Sequence, residues 1–205
     1  YRETVLPGAI LTRVASSHIR IGTFQFAAMQ EDVGLLESFV KYVVKRHYKN
    51  LDKEKDPALA LLQDFMKKQI DLVVDWMRVG FVHGVMNTDN VALSGETIDY
   101  GPCAFIDSYN PNKVFSSIDQ NGRYAFGNQP SITHWNLLRF AETLVPLVDK
   151  NTKKAVKKLE NVLSGFPSEF KNSWLKMMRK KIGLDNEFDE DESLVFSLLE
   201  WMEKN

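Results

Sequence analysis

The chain has 205 residues with an ordinary apolar share, enough for one globular domain or a large piece of one. Lys and Arg total 26 against 27 Asp and Glu, so no overall field draws the chain to nucleic acid or to an anionic membrane, and neither is expected as a partner. The single cysteine, Cys103, excludes an intrachain disulfide framework and a Cys-rich zinc site, and no apolar run approaches the roughly 20 residues that a membrane-spanning helix needs.

In chain order, Ala9 to Ala15 reads as a short strand after the Pro7-Gly8 turn, and Ser16-Ser17 either breaks the pattern or caps a helix, expected from His18 to Met29 and weakened by Gly22. Asp32 to Asn50 carries Leu35, Leu36, Phe39, Val40, Val43 and Val44 at helical spacing and ends in Lys45-Arg46-His47, cations at the end that the helix dipole favours. Asp56-Pro57 opens a longer helix, with Leu61, Leu62, Phe65, Met66, Ile70, Val73, Val74 and Trp76 on one stripe up to Gly80. Residues 91–93 and 96–99 read as two short strands around Ser94-Gly95. The Asn-, Ser-, Asp- and Gly-rich stretch from Pro102 to Pro130 is expected to be a long ordered loop. Helix returns from Ser131 to Leu147, with a break near Pro146, and three amphipathic helices follow around Leu159, Trp174 and Leu198. The acidic run from Asp185 to Glu192 reads as a solvated linker, Cys103 as a small buried hydrophobe near Asp99, and Trp76, Phe81, Trp135 and Phe140 as core.

Chemistry concentrates in His83-Gly84-Val85-Met86-Asn87-Thr88-Asp89-Asn90, with Asp99-Tyr100-Gly101 after it. The pattern resembles a protein-kinase catalytic loop, in which His-x-Asp-x-x-x-x-Asn supplies a base and a metal-binding Asn, and a later Asp-Phe-Gly supplies a metal carboxylate. The His-to-Asn spacing is kept, but Val85 stands where the base belongs, and a valine accepts no proton. Asp89 is the neighbour able to take over that role. Asn90 and Asp99 are oxygen donors suited to magnesium, which is held by one or two carboxylates together with substrate phosphates. Asn87, Asp89 and Asn90 also suit a plain Asx-rich turn. His83 is expected to hold the loop by hydrogen bonds. Arg13 and Arg20 are candidate phosphate clamps, since guanidinium forks match phosphate oxygens, although any single Arg also suits a surface ion pair.

Four separated motifs, in order, resemble the SelO family (selenoprotein O, YdiU-type proteins): Thr12 to Phe24, His83 to Asn90, Thr97 to Pro102, and Asn121-Gly122-Arg123-Tyr124-Ala125-Phe126 with Asn128-Gln129-Pro130 and Trp135-Asn136-Leu137. These proteins are pseudokinases that act as protein adenylyltransferases. The resemblance implies ATP bound in a flipped orientation, so that AMP goes to a Ser, Thr or Tyr hydroxyl of a protein. It implies Asp89 as proton acceptor, Asn90 and Asp99 as ligands of Mg²⁺ or Mn²⁺, Asp99 also facing ATP, and Arg13 and Arg20 on the phosphates. Together with the helix-loop-hairpin order it implies an α+β, mostly α-helical fold: a protein-kinase-like C-lobe fragment with a small β-hairpin at the active site. Residues 1–30 would close an N-lobe and hinge, 31–149 form the C-lobe, and 150–205 a C-terminal helical extension.

Family members resemble kinases in having an N-terminal lobe with a glycine-rich loop, a phosphate-binding Lys and its Glu partner, and this chain begins at Tyr1 without them. The segment alone is therefore expected to be inactive. Location is expected to be cytoplasmic in a bacterium and mitochondrial in a eukaryote. Phosphoryl transfer with Asp89 as base, and a nucleotide-binding scaffold without turnover, are the competing functions; the latter draws its support from Val85.

Overall fold

The computed structural model describes residues 7–51 and 53–205, which fold as an α+β unit, mostly helical with one small antiparallel sheet. Seven helices are described: α1 (Ile21–Ala28), α2 (Val33–His47), α3 (Pro57–Val79), α4 (Gln129–Val148), α5 (Thr152–Leu163), α6 (Phe166–Ile182) and α7 (Asp191–Lys204). Strand β1 (Phe81–Val82) pairs with β2 (Ala104–Phe105), Phe81 opposite Phe105.

The helices begin where side chains satisfy their first amides. Asp32 accepts from Leu35 N (2.9 Å), Asp56 from Leu59 N (3.1 Å) with Pro57 in the first turn, and Asn151 from Lys154 N (3.1 Å). Helix α3 ends at Gly80, whose φ of 74° is left-handed; a methyl there would press on the Ile106 side chain. That turn delivers Phe81 directly into β1.

The core forms around α3 and α4. Leu61, Leu62, Phe65 and Met66 of α3 meet Leu137, Phe140 and Leu144 of α4, all essentially inaccessible. Burying a side chain of this size contributes roughly 1.5–3 kcal/mol. Phe140 takes Phe24 of α1 and Phe65 of α3 edge-on, with ring centroids at 4.9 and 5.2 Å. Leu159 and Leu163 of α5, Met177 and Met178 of α6, and Val195 of α7 belong to the same apolar cluster.

Several expectations are corrected. Residues 9–15 form no strand; Ile10 and Val14 are 97% and 92% exposed, and no neighbouring edge among the described residues satisfies their backbone. The first helix starts at Ile21 rather than His18, because residues 19–21 are used as a ladder: Leu93 N donates to Ile19 O (2.8 Å), Ile21 N donates to Val91 O (3.1 Å), and Arg20 bridges Ala92. With Ala92 committed to Arg20, the expected hairpin over 91–99 shrinks to one bridge between Val91 and Thr97, and the sheet forms between residues flanking the loop instead. Pro146 does not break α4, which continues to Val148; the lost amide falls in the last turn. The acidic run is not wholly solvated. Asp191 is buried, accepts from Phe188 N (2.9 Å) and pairs with Arg179 Nε (2.6 Å). Cys103 is only half-buried, packed against the satellite cluster of Trp76, Phe81 and Met86.

Candidate active site

The 23-residue helix α3 and strand β1 place His83 under the loop. Its ring is buried; Nε2 donates to Ile98 O (2.8 Å) while Nδ1 accepts from Val85 N (3.4 Å), which fixes one neutral tautomer. Burial holds the imidazole pKa below its usual value, favouring that neutral form. The backbone N–H of His83 donates to Gln129 Oε1 (3.0 Å), and Gln129 Nε2 donates to Phe81 O (3.0 Å), so the first residue of α4 locks both sides of the strand. His83 thus has the holding role that its position suggested. Asn136 of α4 adds a bond from Nδ2 to Met86 O (2.9 Å).

Above this base, residues Thr88–Asn90 make a single 3₁₀ turn. Asn90 donates its Nδ2 to Val85 O (2.9 Å), which leaves Oδ1 as its free donor atom toward a cation. Asn90 and Asp99 lie on either side of the single bridge between Val91 and Thr97, one residue before it and two residues after it. Its backbone is left-handed, φ 57°, a conformation that Asp tolerates better than most side chains, and Asp99 O accepts from Gly101 N (2.9 Å). The carboxylate is exposed and makes no ion pair among the described residues. Two hard oxygen donors, an amide and a carboxylate, fit a divalent ion such as Mg²⁺ that completes its shell with phosphate and water. Among the described residues no group of three or more His, Cys, Asp and Glu forms an all-protein metal cage.

Asp99 shares an open cleft of about 480 Å³ with Arg13, His18, Thr97 and Tyr100. The Arg13 guanidinium lies over the Tyr100 ring, 4.7 Å from its centroid, rather than in a surface ion pair. Arg20 sits apart from this cleft, at the entry to α1; its N–H donates to Thr23 Oγ1 (3.1 Å), and its Nε is buried without a partner. An unmatched guanidinium nitrogen is a donor waiting for an acceptor such as a phosphate oxygen. Asp89 is exposed and faces the first turn of α1. A methyl on Gly22 would collide with the Asp89 carboxylate, so glycine is what lets α1 and the 3₁₀ turn approach.

The family profile described as protein adenylyltransferase SelO matches residues 1–205. The chain belongs to the SelO family. Its curated SelO relatives include proteins named protein nucleotidyltransferase YdiU. The one from Alcanivorax borkumensis is 60% identical over 201 residues, covering 98% of this chain and 42% of the relative. Those from Nitrosococcus oceani and Pelagibacter ubique are 54% and 53% identical, covering 100% and 99% of this chain and again 42% of each relative. The chain therefore spans less than half the length of these SelO proteins. No described helix is long and apolar enough to cross a membrane.

Two features around the candidate site carry no clear signal in the sequence. Gly22 read only as a weak point in a helix, although an isolated glycine in a helical pattern is also the signal of a close approach. Trp135, expected in the core, is half-buried and carries two guanidinium groups over its ring, Arg123 at 4.7 Å and Arg139 at 5.4 Å.

Proposed function

We propose that the protein containing this chain transfers AMP from ATP to Ser, Thr or Tyr hydroxyls of proteins through a kinase-like C-lobe. In this reading residues 1–30 end an N-lobe and hinge, 31–149 form the lobe, and 150–205 extend it. Asp89 accepts the proton of the acceptor hydroxyl as its oxygen attacks the α-phosphorus; the bond to the β-phosphate breaks and pyrophosphate leaves. Asn90 and Asp99 hold Mg²⁺ or Mn²⁺, which when bound neutralises charge on the phosphate oxygens. Arg13 and Arg20 hold the phosphates, with Asp99 also lining the nucleotide cleft.

The observation that carries this reading is the orientation of Asn90. Its amide nitrogen is spent on the carbonyl of Val85, so its oxygen is left free, in the residue next to Asp89 and across the one Val91–Thr97 bridge from the segment that carries Asp99. A mere Asx turn would spend the oxygen on a nearby backbone N–H.

The test is intact mass after incubating the full-length protein and an acceptor with Mg-ATP, beside Asp99→Ala. Gain of an AMP group that disappears in the variant is expected. Gain of a phosphoryl group would make the protein a kinase, and ATP binding without any modification would make it a scaffold.

A further inference from the structure

Trp135 lies in the first half of α4, and the Arg123 guanidinium rests over its ring and 5.7 Å from the Tyr124 centroid. Tyr124 in turn donates its hydroxyl to Asn87 Oδ1 (2.5 Å), and Asn87 O receives the Asn90 N–H (2.8 Å). A continuous chain of contacts therefore links an exposed cation to the turn that carries Asp89.

The loop bearing Arg123 is built rather than loose. Both oxygens of Asp119 are spent on backbone amides, accepting from Arg123 N and Tyr124 N at 2.8 Å each, and Asn128 Nδ2 donates to Arg123 O (2.6 Å). Of the two cations over Trp135, Arg139 is neutralised by Glu142 (2.7 Å). Arg123 is exposed and forms no ion pair among the described residues. Two cations sharing one ring repel, so the unneutralised one gains most from an anion arriving from outside. Neither Arg123 nor Trp135 lines the cleft shared by Arg13 and Asp99.

We propose that Arg123, held on Trp135 and coupled through Tyr124 to Asn87, binds an Asp or Glu carboxylate of the acceptor protein near the hydroxyl to be modified. The inference rests on the reading of the protein as an AMP transferase and names its preferred acceptor: a hydroxyl in an acidic sequence. Guanidinium groups pre-set on an aromatic face lose little side-chain freedom on meeting a carboxylate, so the pair forms with little ordering cost.

The experiment uses the full-length protein, Mg-ATP, and synthetic acceptor peptides in which one Glu is scanned along either side of the hydroxyl, with the matching Gln and Lys peptides as references. At the productive position the wild type should favour Glu over Gln by about two- to fivefold in kcat/KM, the size expected of one solvent-facing ion pair. Arg123→Gln should erase that preference, and Arg123→Glu should turn it toward Lys, with the KM for ATP unchanged in both. A phosphoserine peptide separates the two anions: better use of Glu supports a carboxylate reader, whereas preference for phosphoserine with Glu no better than Gln overturns it. The same Glu preference in wild type and Arg123→Glu, or a raised KM for ATP, also overturns it. Transfer of AMP to any protein acceptor without a Glu preference removes only this inference. If the wild type modifies neither itself nor any acceptor, the transferase reading falls and this one with it.

Discussion

Gly22→Ala separates stability from catalysis in a way that tests the placement of Asp89. Alanine is a better helix former than glycine by up to about 1 kcal/mol in a helix interior, and less at a first-turn position, so α1 itself should be unharmed. The added methyl, however, occupies the space of the Asp89 carboxylate, while the Asp89 Cα stays at an ordinary 3.6 Å. Because Asp89 Cγ would also sit at a tight 3.2 Å, the relief is a swing of the exposed Asp89 side chain about its Cα–Cβ bond, which moves the oxygen by on the order of 1 Å or more, enough to lower a rate by roughly 10²-fold. The expected result in the full-length protein is an unchanged melting temperature, an unchanged KM for ATP, and kcat for AMP transfer down by about two orders of magnitude. Wild-type kcat in a well-folded Gly22→Ala variant would show that the Asp89 carboxylate is not the proton acceptor in this position.

Other outcomes can be stated more briefly. Asp89→Asn should keep ATP binding and lose roughly 10²–10⁴-fold in kcat, read by single-turnover transfer. Gln129→Ala leaves His83 N–H and Phe81 C=O buried and unpaired, at about 1–3 kcal/mol each, and should lower the thermal midpoint; an unchanged midpoint would mean that water replaces both bonds. Phe140→Ala removes the ring on which α1 and α3 meet and should cost about 3–5 kcal/mol by chemical denaturation. The Asp191 carboxyl is held below its ordinary value first by the Phe188 N–H and then by the Arg179 guanidinium. An unfolded Asp protonates near pH 3.9, so the folded state binds fewer protons below that point. The stabilisation is complete above it and is lost as pH falls through the lower folded value. Hydrogen exchange of α7 should accelerate in that acid window, and in Asp191→Asn it should be fast already at neutral pH and insensitive to the window.

The long helices were legible because their signals are local. The stripe from Leu61 to Trp76, the Asp56-Pro57 start and the Gly80 stop define α3 within one residue at each end. The strands were not, because two-residue strands carry almost no periodic signal and their pairing depends on which neighbour claims a backbone group first. Ala92 could pair within its own hairpin or with Arg20, and sequence spacing alone favoured the hairpin. Asp191 looked like one more residue in an acidic run; only the arrival of Arg179 from α6 sets it apart from Asp189 and Glu190. Around the candidate site, the holding role of His83 was legible through spacing, whereas the contact of Gly22 with Asp89 and the tie from Tyr124 to Asn87 join residues distant in sequence.

The ladder of residues 19–21 against 91–93 determines how the arginine-bearing arm can move. Ser16 is gripped as well: its N–H and hydroxyl donate to the Glu96 carboxylate at 3.0 Å each, and its carbonyl accepts from Arg46 Nη2 (2.9 Å). The stretch from Ser16 to Ile21 is therefore riveted to the segment that follows the Thr88–Asn90 turn, and Arg20 travels with that segment. Arg13, on the far side of the clamp, is attached through its stacking on Tyr100. The two arginines thus differ mechanically: Arg20 is a fixed post carried by the ladder, whereas Arg13 lies beyond the clamp and rests on the Tyr100 ring.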